Sequence, residues 1–223
     1  MVAAARSARS RKSLWIENGV ALTVGAVSIS MPTQDQWNER YRRGEHSQDV
    51  PDAFLVGCSG YWDLLSSRVA ADLACGAGRH AIHLAEQGFQ TTAIDFAEAG
   101  LEATRDRAAG RGVELETRML DLEAPAADLG AEALDLIVVV HFLHRPLFKP
   151  IKRALRPGGL IVYKTYTRDQ LALPEGPTNP AYVLEANELL REFGDYRVLR
   201  YEEKISGEGT AALLAQKPSK SDS

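Results

Sequence analysis

A short apolar stretch of the chain ends at a carboxylate, Asp72, and leads into a glycine-rich turn that opens a helical pattern. Gly76 and Gly78 allow the backbone to turn tightly and to approach a ligand closely. The helix that follows, which includes Ala81, directs unpaired backbone N–H groups at whatever is bound. The segment therefore predicts a loop for a nucleotide-containing cofactor, and its spacing also fits the weaker dinucleotide fingerprint.

Asp72 distinguishes between two kinds of nucleotide cofactor. A carboxylate just before the loop would repel a pyrophosphate at the helix N-terminus, whereas it would attract the ammonium and sulfonium groups of S-adenosylmethionine. The next apolar run ends in Asp95, at the place where a ribose diol is expected. Both cofactors carry a ribose, so Asp95 supports a nucleoside, while Asp72 favours the methyl donor over NAD.

Five segments of the chain resemble those of the class I S-adenosylmethionine-dependent methyltransferases, and in particular the branch around tellurite-resistance methyltransferases. The segments are residues 37–41, 72–79, 93–96, 141–148 and 155–163. The resemblance implies an α/β fold, a doubly wound and mostly parallel seven-stranded sheet of the Rossmann-like methyltransferase type. It also implies methyl transfer from S-adenosylmethionine, and we expect a small-molecule acceptor such as a thiol, a chalcogen oxyanion or another small metabolite. Relatives of this kind share a cofactor site while methylating unlike acceptors, so the acceptor is not carried across.

Alternating strand and helix patterns support a parallel sheet. The predicted strands are residues 68–73, 90–95, 114–120, 134–140, 158–165, 196–202 and 209–216. The predicted helices are residues 79–87, 97–109, 146–155 and 184–193, with a turn at residues 157–159 before the fifth strand. In such a sheet the ligand lies beyond the carboxyl ends of the early strands, which is where Asp72, Asp95 and Asp121 fall.

The cofactor site implied by the resemblance consists of Trp37, Arg40, Tyr41, Asp72, Ala74, Gly76, Gly78, Asp95, Phe96, Asp121, Leu122 and Val140. Asp121, with the backbone of Leu122, would receive the amino edge of adenine; the alternative is an ordinary Asx turn. Arg40 would hold the methionine carboxylate while Trp37 or Tyr41 packs near the sulfonium. The alternative is a surface helix whose aromatic residues belong to the core.

The fourth strand delivers His141 and His144 to the same end of the sheet. Methyl transfer is an in-line displacement, so alignment and exclusion of water supply most of the catalysis. Either histidine can take a proton from the acceptor, and Arg145 can clamp an anionic one. Alternatively, His144 and Arg145 cap a helix or pair with an acid. No metal is expected, because no third ligand is spaced with the histidines. His80 is read as a solvated or packed residue of the cofactor helix.

The composition narrows the functional class. The 223 residues are 45% hydrophobic and carry a net charge of -4, which argues against a broad nucleic-acid footprint or attraction to an anionic membrane. Cys58 and Cys75 lack the spacing of a disulfide framework or zinc site. We therefore expect a cytoplasmic monomer or homodimer that acts on a small molecule. A nucleic-acid or protein methyltransferase, indicated by a basic groove, and a nicotinamide-dependent oxidoreductase, opposed by Asp72, are the alternatives.

Residues 1–30 differ in composition from the remainder, since they carry four basic side chains and one acidic side chain. We interpret them as a disordered or non-native extension and residues 31–223 as a single methyltransferase domain with an N-terminal lid helix. A cleaved targeting segment is the alternative, although the apolar run at residues 19–27 is too short to span a bilayer.

A variant that begins at Met31 should retain its unfolding free energy and its cofactor affinity, because residues 1–30 add no element to the alternating pattern. Urea unfolding measures the first quantity and titration calorimetry the second. A loss of more than about 1 kcal/mol in unfolding free energy would mean that the extension packs on the domain.

Overall fold

Seven strands form the sheet of this protein. A computed structural model describes residues 32–45, 48–125 and 127–219, and the predicted extension at residues 1–30 lies outside the described residues. The strands are β1 (Val69–Leu73), β2 (Gln90–Asp95), β3 (Glu116–Met119), β4 (Leu134–Val140), β5 (Leu155–Tyr166), β6 (Arg197–Lys204) and β7 (Thr210–Gln216). They lie in the order β3-β2-β1-β4-β5-β7-β6, and only the pairs that involve β7 are antiparallel.

Helices connect the strands and flank the sheet. They are α1 (Gln34–Arg42), α2 (Ala53–Val56), α3 (Arg79–Glu86), α4 (Glu98–Arg111), α5 (Phe148–Ala154) and α6 (Glu188–Glu192). Short 3-10 segments occur at Ser59–Leu64, Arg145–Leu147, Arg168–Ala172 and Pro180–Tyr182. The predicted doubly wound, mostly parallel seven-stranded sheet is confirmed. The helix predicted over residues 184–193 is shorter than expected, because Asn187 adopts a left-handed conformation just before α6 begins.

The central strand β4 shows how the core is divided between the two faces of the sheet. Ile137 and Val139 belong to one apolar cluster, and Leu136 and Val138 belong to a second cluster. Successive side chains of a strand point to opposite faces, so each face is buried under its own layer of helices and loops. This burial explains why the strand is a continuous apolar run. His141 directly follows the last residue of this strand.

The turn predicted at residues 157–159 is wrong, because these residues lie inside β5. Residues 156–159 stand opposite the single residue Asp135 of β4, and Gly158 adopts a φ of 81° within this bulge. The bulge allows Arg156 Nη1 to donate to Asp135 Oδ2 at 2.7 Å. The Pro-Gly-Gly sequence therefore widens a strand pairing, which is a recognised use of glycine in strands.

Helix α1 is attached to α4 by a hydrogen bond between distant parts of the chain. Helix α4 follows Ala97, whose side chain has no acceptor to cap the helix. Asn38 of α1 is buried, and its Oδ1 accepts the Ala99 N–H at 2.9 Å. Gln34 also donates to the carbonyl of Phe96 at the end of β2. Helix α1 therefore completes the N-terminus of α4 and lies at the carboxyl end of the sheet.

Replacing Asn38 by Ala should lower the unfolding free energy by about 1 kcal/mol, the usual effect of losing a helix cap. Asn38→Asp is the matched control, because it keeps an acceptor oxygen and places a negative charge at a helix N-terminus. Urea unfolding of both variants measures the difference. Equal losses in the two variants would contradict the capping role.

Candidate active site

A cleft of about 290 Å³ opens at the carboxyl ends of β1, β2 and β4. The predicted site residues that line it are Trp37, Tyr41, Ala74, Gly76, Asp95, Phe96, Asp121, Leu122, Val140 and His141. Five predicted residues are not part of its lining: Arg40, Asp72, Gly78, His144 and Arg145. The sheet thus brings together residues that are far apart in the sequence, as a doubly wound fold does at its ligand edge.

Two non-glycine residues at the edge of the cleft adopt positive φ angles. Ala74 follows β1 with a φ of 55°, and His141 follows β4 with a φ of 59°. Such conformations are uncommon for residues with a Cβ and are concentrated at functional sites. The His141 N–H donates to the carbonyl of Lys164 at 2.8 Å, and its ring stacks on Tyr166 at 4.7 Å between centroids. These contacts fix the imidazole at the rim of the cleft.

The glycine loop is packed between α1 and α4. Gly76 has a φ of 57°, and a Cβ atom there would lie 2.8 Å from the Tyr41 hydroxyl. Gly78 has a φ of 80°, and a Cβ atom there would overlap the Thr104 side chain. Both positions therefore require glycine for conformation and for space. Gly76 lines the cleft, whereas Gly78 does not line it and packs against Thr104 of α4.

Asp72 lies beneath the loop and outside the wall of the cleft. Its side chain is 1% exposed, and Oδ2 accepts the Ala81 N–H at 3.0 Å. Burial raises the pKa of Asp72 to about 8, although the Ala81 hydrogen bond and the Arg79 charge oppose the shift. The carboxyl group is therefore largely neutral at pH 7, so the charge argument made from the sequence weakens. In the structure Asp72 ties the end of β1 to the first turn of α3.

Asp95 both supports the loop and lines the cleft. Its Oδ2 accepts the Gly76 N–H at 2.9 Å, and its Oδ1 accepts the Ala97 N–H at 2.9 Å. Burial raises the pKa of Asp95, and these backbone hydrogen bonds partly oppose that shift. A carboxylate oxygen can accept more than one hydrogen bond, so Asp95 retains capacity for a ligand hydroxyl.

The segment after β3 forms another part of the wall. Asp121 and Leu122 line the cleft, and Asp121 Oδ1 also accepts the Glu123 N–H at 2.9 Å. The Asx turn considered as an alternative is therefore present, and it directs Asp121 at the cleft edge. Glu123, which sequence reasoning missed, lines the same side, and burial raises its pKa.

Two aromatic residues of α1 cover the cleft. Trp37 and Tyr41 stack with ring centroids 5.8 Å apart, and both line the cavity. The Arg40 guanidinium lies over the Trp37 ring, 4.9 Å from its centroid. Arg40 thus contacts the Trp37 ring. Arg40 does not line the cleft, where it was expected to hold the methionine carboxylate of the cofactor.

His141, one of the two histidines predicted to act on an acceptor, is held in its neutral form. Burial, followed by the positive charges of Arg79 and Lys164, lowers the pKa of His141 to about 4. Its Nε2 lies 3.9 Å from Glu208 Oε1. A neutral imidazole has one nitrogen that accepts a proton or hydrogen bond, which suits contact with an acceptor O–H, S–H or N–H group.

Arg145 forms the acid pair considered as an alternative. Its Nε and Nη2 donate to the two carboxylate oxygens of Glu188 at 2.6 and 2.8 Å. The same guanidinium donates to the carbonyls of Ala181 and Val183, each at 2.9 Å. Arg145 therefore fastens the segment before α6 to the beginning of the Arg145–Leu147 turn. His144 precedes that turn and provides no side-chain cap for it.

Besides Glu123, sequence reasoning missed three further polar residues of the wall: Gln48, Arg79 and His80. Arg79 Nη1 donates to Gln48 Oε1 at 2.6 Å. His80 is 4% exposed, and burial followed by the Arg79 charge lowers its pKa to about 3. Arg79 and His80 open α3 directly after the glycine loop, so their position at a helix N-terminus facing the ligand edge was the available signal.

No cluster of three or more histidine, cysteine, aspartate or glutamate side chains is placed to hold a metal ion in the described ranges. Among the described helices, none combines the length and the apolar character required to cross a bilayer.

Part of the chain is similar to known methyltransferases. Residues 70–159 match the family described as a methyltransferase domain. A ubiquinone biosynthesis O-methyltransferase of Stutzerimonas stutzeri is 30% identical over 126 residues, which are 54% of this chain and 54% of that protein. The chain thus spans about half the length of the curated relatives it matches.

Solved structures share the fold. TehB from Haemophilus influenzae gives a TM-score of 0.62 at 22% identity, covering 81% of this chain and 67% of that one. An S-adenosylmethionine-dependent methyltransferase from Aquifex aeolicus gives a TM-score of 0.59 at 18% identity, covering 80% of this chain and 97% of that one. These findings agree with the resemblance stated from the sequence: residues 70–159 match a methyltransferase domain, and the chain shares its fold with S-adenosylmethionine-dependent methyltransferases of solved structure.

Proposed function

We propose that this protein transfers the methyl group of S-adenosylmethionine to a small-molecule acceptor, such as a thiol, a chalcogen oxyanion or another small metabolite. The observation that carries the proposal is the cleft of about 290 Å³, which α1 covers and whose wall includes Asp95 and His141. A cleft of this size suits a small ligand. The net charge of -4 also favours a small acceptor over nucleic acid.

The residues present in the cleft fit the cofactor, which supplies an activated methyl group on a sulfonium. We propose that Asp95 accepts hydrogen bonds from the ribose hydroxyls and that Asp121 with Leu122 receives the adenine. Phe96 and Val140 supply apolar wall, and Trp37 and Tyr41 present aromatic faces suited to a sulfonium. Asp72 and Gly78 support the loop from outside the cleft. Asp72 accepts the Ala81 N–H, and Gly78 leaves room for the Thr104 side chain.

The acceptor side of the proposed reaction depends on His141. Methyl transfer leaves a neutral thioether, so most of the rate enhancement comes from alignment of the acceptor and exclusion of water. His141 is rigidly placed by its stacking on Tyr166 and is neutral above about pH 4. We propose that its neutral ring orients an O–H, S–H or N–H acceptor by accepting a hydrogen bond from that group. The lowered pKa makes His141 a weak base, so the proton transfer expected of a histidine near its ordinary pKa is not part of this proposal.

Asp95→Ala should weaken binding of S-adenosylhomocysteine about tenfold, because a ribose hydrogen bond is lost. It should also lower the unfolding free energy, since the Gly76 and Ala97 N–H groups lose their acceptor. Asp72→Asn is the matched control: it keeps an oxygen for the Ala81 N–H and should change the affinity less than about threefold. Titration calorimetry well below both melting temperatures separates affinity from stability. Unchanged affinity in Asp95→Ala would remove this residue from the cofactor site.

The function is tested by incubating the protein with S-adenosylmethionine and a panel of thiols, selenite, tellurite and small aromatic acids. S-adenosylhomocysteine should form only when an acceptor is present. With the acceptor that this panel identifies, His141→Ala should lower kcat about a hundredfold and leave cofactor affinity unchanged. Because the pKa of His141 is lowered to about 4, the wild-type rate should show no histidine inflection near pH 6.5 and should fall only as the pH approaches 4.

Arg145→Ala provides the contrast to His141→Ala, because the Arg145 side chain bonds Glu188 and two carbonyls outside the cleft. Its main effect should be a loss of about 1.5–3 kcal/mol in unfolding free energy, the usual range for hydrogen bonds to charged groups. A hundredfold loss of kcat with unchanged stability would instead place Arg145 at the acceptor.

A further inference from the structure

The charged and titratable side chains are distributed unevenly along the wall of the cleft. On the side of β2 and β3 it contains three carboxyl groups, those of Asp95, Asp121 and Glu123. On the side of β1 and β4 the polar wall residues in the described part of the chain are Gln48, Arg79, His80 and His141, without an acid. One side of the cavity is therefore acidic, and the opposite side carries a guanidinium with two imidazoles.

Arg79 lines the cleft and forms no ion pair within the described ranges. Its side-chain hydrogen bond goes to the neutral amide of Gln48, and its charge acts on the carboxyl group of Asp72, which is buried outside the wall. Two acids close to His141 are paired with Lys164, because Lys164 Nζ lies 2.8 Å from Asp52 Oδ2 and 3.6 Å from Glu208 Oε2. A guanidinium in a cavity wall that takes part in no ion pair favours an anionic ligand.

His80 gives independent evidence that this side of the cleft receives a ligand. Its Nε2 is buried and has no hydrogen-bond partner in the described structure. An unsatisfied buried polar atom is destabilising and calls for an explanation. The other such atoms among the described residues belong to Trp62, His83 and Tyr196, none of which lines the cleft. Among the described residues that line the cleft, His80 is thus the one with an unsatisfied buried polar atom.

We propose that Arg79 and His80 form the acceptor subsite and that the acceptor is a small anion, with a carboxylate or another oxyanion group held by the Arg79 guanidinium. A second polar group of the acceptor bonds His80 Nε2. The inference rests on the methyl transfer proposed above and specifies its substrate class. The planar guanidinium can bind both oxygens of an oxyanion, and a neutral imidazole offers a hydrogen-bonding nitrogen without adding charge.

The first experiment compares anionic acceptors with their neutral methyl esters: 3-mercaptopropionate against its methyl ester, and 4-hydroxybenzoate against its methyl ester. The wild-type protein should show a kcat/KM at least about tenfold higher for the acid of the reactive pair. Arg79→Met should lower kcat/KM for that acid about 10- to 100-fold, the range for hydrogen bonds to charged groups, and leave the ester within about threefold. Arg79→Lys, which keeps the charge but not the planar fork, should be intermediate.

The methionine carboxylate of the donor is a second source of the same anionic chemistry, and a binding experiment distinguishes it. Calorimetry compares S-adenosylhomocysteine with 5′-methylthioadenosine, which lacks the amino-acid group. Under the proposal Arg79→Met changes neither affinity by more than about threefold. Weaker binding of S-adenosylhomocysteine alone would assign Arg79 to the donor and overturn the acceptor subsite. Turnover of esters as fast as acids would also overturn it, whereas no turnover of any acceptor would overturn the proposed function itself.

The second experiment tests His80 with a readout that a structural role would not give. His80→Leu removes an unsatisfied nitrogen from a buried place, so the melting temperature should be unchanged or higher while kcat/KM falls about tenfold. His80→Gln restores a hydrogen-bonding group and should recover part of the loss. A lower melting temperature with unchanged kinetics would show that His80 only packs, and it would overturn its part in the subsite.

Discussion

Helices α3 and α4, which follow β1 and β2, begin without side-chain caps of their own, and the architecture of the site follows from this constraint. Gly78 precedes α3 and Ala97 precedes α4, and neither residue has a side chain that can accept a hydrogen bond. The N–H groups at these helix starts are bonded instead by Asp72, Asp95 and Asn38, which come from β1, β2 and α1. Hydrogen bonds to these buried acceptors stabilise the helix starts. It also holds the glycine loop and the covering helix at one edge of the sheet.

Most of the fold was predictable because its signals are local. A buried parallel strand such as β4 is a continuous apolar run, and turn residues separate it from its neighbours. The Pro-Gly-Gly sequence was wrongly predicted to be a turn, because the same residue types form turns and β-bulges. The contact that accompanies the bulge joins Arg156 to Asp135 on the neighbouring strand, and no local pattern indicates it. Likewise, Asn187 shortens the last helix through a left-handed backbone conformation that its sequence neighbours do not specify.

The candidate site was only partly predictable for the same reason. Residues at strand ends, such as Asp95 and His141, follow from the topology, because parallel strands deliver their carboxyl ends to one edge. The partner of Arg145 is 43 positions away, so no local pattern distinguishes an acceptor clamp from a structural ion pair. The roles of Asp72 and His80 depend on burial, which makes one acid largely neutral and leaves one imidazole without a partner. Sequence spacing carries no information on either property.

The central claim is that the cofactor loop is formed before any ligand binds, because strand-end carboxylates hold its N–H groups. Amide hydrogen exchange of the ligand-free protein, read by NMR at Gly76, Ala81 and Ala97, tests this claim most directly. These amides should exchange as slowly as those of the central strand β4, and adding S-adenosylhomocysteine should slow them little further. Rapid exchange in the ligand-free protein, with protection appearing only when S-adenosylhomocysteine is added, would contradict the account.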